Sequence, residues 1–189
     1  MKTYRYNITK QDDMERYKHY CTDKTVLECG FTDWPKTRPY KNFYKRLAPH
    51  TKWIDGYDVN KPDNVEELRV ENGDFIWDWS EVDKDKYDVI TCREVIEHVG
   101  NVENFLNQFE DMRGVLMIQT PCAYLLKERG YFGYDKEKNQ YYEKNHEDHN
   151  CWYTPFTLHN TVRKYSKREP IEMSWVNNHS ILLVLGKAK

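Results

Sequence analysis

The chain has 189 residues and a formal net charge of −2 at pH 7, which suits one domain with its own core and argues against avid, sequence-independent nucleic-acid binding, because that comes from neutralising phosphates. Its five cysteines, Cys21, Cys29, Cys92, Cys122 and Cys151, are scattered and odd in number, so neither a disulfide framework nor a zinc site is expected and a reducing cytoplasm suits them. No window approaches the roughly 20 apolar residues of a membrane span, and the N-terminal MKTYRYNITK lacks an apolar signal core, so a soluble, unsecreted chain with no membrane partner is expected.

In chain order, residues 10–20 place Met14, Tyr17 and Tyr20 on one stripe, which predicts an amphipathic helix. Residues 25–30 (TVLECG) read as a buried strand with a sharp exit, residues 40–47 as a helix and residues 52–58 as a second strand ending in an acid. Residues 73–77 supply a third strand, and residues 87–92 (YDVITC) a fourth that is buried. A helix is expected over residues 101–112, then a fifth strand over residues 114–121, which Pro121 ends because it has no N–H to donate. Thr154 and Pro155 are an N-cap and a first helical residue for a helix to Tyr165. Residues 171–176 and 180–185, joined by Asn177, Asn178 and His179, predict an antiparallel hairpin.

Strands alternating with helices imply a mainly parallel sheet covered on both faces, because parallel strands need crossover connections. Ligands of such sheets bind beyond the strand carboxyl ends, which here carry Glu28 to Phe31, Asp58, Asp74 and Cys92 to Glu94. No internal repeat or linker divides the chain, so residues 1–189 are expected to form one domain, with residues 1–24 as an N-terminal helical cap. Charge is uneven, with eleven Lys and Arg against six Asp and Glu in residues 1–50 and five against seventeen in residues 55–112. Solvated charge on different faces is the preferred reading, although the basic part is able to meet a phosphate or an acidic glycan.

Residues 87–99 (YDVITCREVIEHV), the loop VLECG at 26–30, the acid after Gly56-Tyr57 and the third-strand Gly73-Asp74-Phe75 resemble, in this order, the class I S-adenosylmethionine-dependent methyltransferases. Thr120-Pro121 and the later His149-x-x-Trp152-Tyr153-Thr154-Pro155 also resemble the small-molecule and glycan O-methyltransferase branch, so the similarity spans residues 25–186. The resemblance implies a Rossmann-like three-layer α/β sandwich: a mainly parallel, seven-stranded sheet with an antiparallel C-terminal hairpin. It implies S-adenosylmethionine as cofactor and methyl transfer to a sugar, glycan or other small hydroxyl acceptor. One departure stands out: after Gly30 the family has further glycines, whereas this chain continues Phe31-Thr32-Asp33-Trp34-Pro35. Either the loop is reshaped or cofactor binding is weaker. Arg38-x-Tyr40 is similar to members that act on sugars.

On this resemblance Asp58, followed by Val59, accepts hydrogen bonds from the ribose hydroxyls. Glu28 and Gly30 lie under the methionine portion, and Cys29, Phe31 and Arg38 are further cofactor-binding candidates. Asp74 takes the adenine amino group, with Asp78 as its rival, and Phe75 packs on the ring. Cys92, Arg93 and Glu94 face the sulfonium and the acceptor. His149 is the expected general base, since an imidazole accepts a hydroxyl proton at neutral pH, with His98 second and Glu94 or Asp148 after it. The run His146-Glu147-Asp148-His149 is read as a polar surface loop, and no metal is expected. The N-terminal segment, with Tyr4, Tyr6, Tyr17 and Tyr20, is expected to cover the acceptor pocket without a core role in the sheet. A binding or scaffold protein that keeps the fold without catalysis is the main alternative. Nucleic-acid methylation is a second, disfavoured by charge, and a homo-oligomer stays open.

Overall fold

A computed structural model describes residues 9–32, 41–144 and 147–187. The first half contains β1 (Thr9–Gln11), α1 (Asp13–Cys21), β2 (Thr25–Cys29), α2 (Phe43–Leu47), β3 (Trp53–Tyr57), β4 (Gly73–Ile76) and β5 (Val89–Arg93). It continues with α3 (Val102–Asn107), β6 (Val115–Pro121), α4 (Ala123–Glu128), β7 (Phe132–Asp135) and β8 (Gln140–Glu143), then α5 (Pro155–Tyr165), β9 (Pro170–Val176) and β10 (Ser180–Leu185). None of the helices among the described residues is long and apolar enough to cross a membrane.

The large sheet runs β1-β9-β10-β6-β5-β2-β3-β4. β10 is antiparallel to both β6 and β9, and every other neighbouring pair is parallel. The seven expected strands therefore form the expected mainly parallel α/β sheet, and β1 adds a three-residue edge strand where a helix was read from residue 10. β2 and β5 are continuous apolar runs because both faces are covered: Val26, Leu27, Ile90 and Cys92 are fully buried. Chain order reverses at β2, with β3 on one side and β5 on the other, which opens a crevice at their carboxyl ends.

Two details follow local rules closely. Thr154 and Thr157 form a reciprocal capping box ahead of Pro155, which satisfies amides that the first turn of α5 leaves without partners. Asn177 and Asn178 both have positive φ, 54° and 59°, and with His179 they make the three-residue joint between paired Val176 and Ser180, a left-handed backbone that asparagine tolerates better than most side chains.

Elsewhere tertiary contacts override the pattern. α1 is no detached cap: Tyr17 and Cys21 are fully buried, Met14 nearly so, and Tyr20 donates its hydroxyl to Glu172 of β9. Its apolar stripe thus closes part of the core, contrary to the expectation that this segment has none of that work, while Tyr4 and Tyr6 lie outside the described residues. α3 stops at Asn107 instead of Met112. The next residues turn more tightly, Met112 N donating to Phe109 O at 3.1 Å. The buried guanidinium of Arg168 donates to the carbonyls of Phe109 and Met112 as well as those of Gly114 and Gly186, giving acceptors beyond a helix end a partner. α4 and the β7–β8 hairpin occupy a stretch that carried no sequence assignment.

Candidate active site

At the end of β2 the chain turns through Gly30, whose φ is +78° and whose amide donates to Tyr57 O at 2.8 Å. A Cβ there would lie 2.4 Å from Val95 Cγ2, so both backbone conformation and space demand glycine. Phe31 then turns inward and stacks on Phe75 at 5.1 Å, filling the space above Gly56. Next, Thr32 donates its amide and hydroxyl to Asp58 Oδ2 at 3.2 and 2.8 Å, while Asn60 N donates to Oδ1 at 2.9 Å. A buried aromatic ring and a threonine–aspartate clasp thus shape the start of a loop that has no further glycines.

The exit of β5 is strained. Glu94 has φ +51°, in a left-handed region that costs a residue of this kind on the order of 1–3 kcal/mol. Three bonds hold it: Glu94 N donates to Gln119 O at 2.8 Å, and Glu94 Oε1 accepts from Gln119 Nε2 at 3.0 Å and Ser180 Oγ at 2.9 Å. Before it, Arg93 lies 3.8 Å over the Phe43 ring and 3.4 Å from Asp13 Oδ2, and its Nε has no hydrogen-bond partner among the described residues. Glu28 is buried and accepts the Thr91 hydroxyl.

One turn further on, Glu97 is buried with Oε2 accepting from Thr120 Oγ1 at 2.9 Å. Burial, and then the charge of Glu94, push its carboxyl up to about 9. Asn150 pins a later loop to this turn, its amide donating to Glu97 O at 2.7 Å and its side chain to His98 O at 2.6 Å. His98 Nδ1 donates to Asp148 O at 3.1 Å, since a carbonyl only accepts, and the His98 and His149 rings meet edge to face at 4.7 Å.

These segments enclose a cleft of about 610 Å³, within the range of small-molecule sites. Glu28, Gly30 and Phe31 line it from β2, Asp58 and Val59 from β3, and Arg93, Glu94 and His98 from β5 and the following turn. His149 and Asp148 close the far side. A second, mainly apolar chamber of about 380 Å³ shares Gly30, Asp58 and Val59 with the first, and Cys29, Tyr57, Trp79 and Phe105 form its walls.

Three expected residues lie elsewhere. The register pairs Asp55 with Asp74 and Tyr57 with Ile76, so Asp74 falls two residues short of the strand end and instead meets Arg69 Nη1 at 3.4 Å. Phe75 packs beneath Phe31, and Cys92 is fully buried beside Cys29, whose thiol burial pushes well up. The rival Asp78 caps a turn through Ser80 N at 2.9 Å and lines neither space. Arg38 lies outside the described residues, as does His146. Sequence reasoning gave Glu97 no role, although an acid held between apolar neighbours in REVIEHV is a signal of a buried carboxyl, and it left Tyr57 and Phe105 out of the site.

A profile of the methyltransferase domain family matches residues 23–165. The curated proteins contain no significant match. Among solved structures, an S-adenosylmethionine-dependent methyltransferase from Clostridium acetobutylicum superposes with a TM-score of 0.62 at 12% identity, covering 94% of this chain and 93% of its own. The 1,6-didemethyltoxoflavin N1-methyltransferase from Burkholderia thailandensis, crystallised with S-adenosylhomocysteine, gives 0.59 at 14% identity over 92% and 75%. The magnesium protoporphyrin IX methyltransferase from Synechocystis gives 0.53 at 14% over 88% and 75%. Identities this low speak for the fold alone, and the profile match over most of the chain decides the family: this chain belongs to the methyltransferase domain family.

Proposed function

We propose that this chain is an S-adenosylmethionine-dependent methyltransferase that O-methylates a sugar or another small hydroxyl acceptor. The observation that carries this reading is the meeting, at one strand-end crevice, of the Gly30 turn, the oriented Asp58 carboxylate and the apolar chamber. The solved neighbours that hold bound S-adenosylhomocysteine support the same cofactor class.

The residues fit the cofactor part by part. Gly30 leaves the space that a Cβ would fill, allowing the methionine portion to approach backbone. Arg93, with its unpartnered Nε, offers a positive charge to the amino-acid carboxylate. Asp58 has acceptor capacity for ribose hydroxyls beyond the bonds that already orient it. Tyr57, Trp79 and Phe105 offer apolar walls to the adenine, in the place first assigned to Asp74 and Phe75. When bound, the cofactor supplies an electrophilic methyl group on sulfur.

The chain's own contribution is then positioning and proton removal. Holding a hydroxyl oxygen in line with the methyl carbon replaces a large entropic barrier. His149, beside His98 at the far wall of the cleft, takes the hydroxyl proton, and Glu94 is held rigidly where it can orient the acceptor. Incubation with labelled cofactor and a panel of sugars, glycans, phenols and RNA tests the reading. Label is expected in a hydroxyl compound, with turnover lowered by about two to four orders of magnitude in His149→Gln at unchanged cofactor affinity. Label in RNA alone, or turnover of His149→Gln within threefold of the parent from about pH 6 to 9, contradicts the acceptor class or the base respectively.

A further inference from the structure

Three groups at the far wall, Glu97, His98 and His149, form a set larger than proton removal by one base requires. One ligand atom from each of Glu97, His98 and His149 lies within 4.8 Å of the others. Glu97 Oε2 is fixed by Thr120, but its buried Oε1 has no hydrogen-bond partner among the described residues. Leaving a buried carboxyl oxygen without a partner is costly. A cation supplies that partner.

From this geometry we infer that Glu97, His98 and His149 bind a divalent transition-metal cation at the acceptor end of the cleft. Mixed imidazole and carboxylate donors select Zn²⁺, Fe²⁺ or Mn²⁺ over the all-oxygen sites of Ca²⁺ and Mg²⁺. The His98 ring is held at Nδ1 by Asp148 O, and a backbone carbonyl is a common partner behind a ligating histidine. Tetrahedral ligands at Zn–N distances are about 3.4 Å apart, so the set has to close slightly around the ion. The loop bearing His149 can do this by a small movement toward the Ile96–His98 turn, to which Asn150 ties it.

Three protein ligands leave a position open toward the cleft. The role of that position rests on the proposed methyl transfer, whereas binding itself does not. An acceptor hydroxyl brought against the cation loses its proton to water more easily. Its oxygen then bonds to the methyl carbon while the carbon–sulfur bond breaks and the electron pair returns to sulfur. With the cation present His149 is a ligand, and without it the same imidazole is the base.

The test titrates the full, chelator-stripped chain with Mn²⁺, following loss of the free-ion spin-resonance signal, and then with Zn²⁺ by calorimetry in competition. One ion per chain is expected, with affinity lowered at least tenfold in both Glu97→Gln and His149→Asn, circular dichroism and S-adenosylmethionine affinity remaining at the parent level. No binding at millimolar Mn²⁺ and Zn²⁺, or equal binding by parent and both variants, overturns the site. Metal binding without cofactor binding would leave this site standing and defeat the methyltransferase reading instead; cofactor binding without metal binding does the reverse.

Discussion

Asp58 sits almost fully buried at the end of β3, held by Thr32 on one oxygen and the Asn60 amide on the other. A carboxylate placed this way is set before any ligand arrives, so its removal costs binding more than folding. Asp58→Ala is expected to weaken S-adenosylmethionine binding by about 1.5 to 3 kcal/mol, the scale of hydrogen bonds to a charged group, with an unchanged far-ultraviolet spectrum. Calorimetry giving parental affinity would remove Asp58 from the site. At this scale the sequence was most legible where a residue's position on a strand end also fixed its chemistry, as for Gly30, Asp58 and Glu94. Asp74 is the second residue of β4 and pairs with Asp55, so it lies short of the carboxyl edge that Ile76 reaches opposite Tyr57. Glu97 was passed over because its significance comes from Thr120, Glu94 and His149, which are distant in sequence or inconspicuous there.

Arg168 shows how a single side chain can define an element. It is 2% exposed, and its guanidinium joins the end of the α3 region, the start of β6 and the end of β10 through four carbonyls. Lysine carries the charge, but its three donors radiate from one nitrogen on a flexible stem and cannot span that fork. Arg168→Lys should therefore leave two or more buried carbonyls without partners, at about 1–3 kcal/mol each. The expected loss of at least about 2 kcal/mol corresponds to a Tm lower by roughly 4 to 8 °C or more in a chain of this size. A scan showing a change under about 2 °C would mean that water replaces the guanidinium. Helix α5 and the β9–β10 turn were readable because capping and turn chemistry are local, carried by Thr154, Pro155, Asn177 and Asn178. The shortened α3 was not, since its end depends on an arginine some 60 positions away. The β7–β8 hairpin lacked a signal for another reason: all four residues of β8 are exposed, so no core imposes alternation on them.

For the whole molecule, the alternation of strands and helices specified a mainly parallel sheet, and the order found places the reversal beside β2. This reversal brings Glu28, Asp58, Arg93 and His149 to one cleft although they are spread over more than half of the chain. Ser180 of β10 and Asp13 of α1 also brace it, through Glu94 and Arg93. α1 escaped notice as a structural part because its stripe was legible but the face it would cover was not. The claim on which the rest depends is that this crevice holds S-adenosylmethionine despite the missing glycines after Gly30. Isothermal titration of the full, folded chain with the cofactor tests it most directly. The account predicts one site per chain with a dissociation constant well below millimolar, and no detectable heat of binding at millimolar cofactor from a protein that is folded by circular dichroism would contradict it.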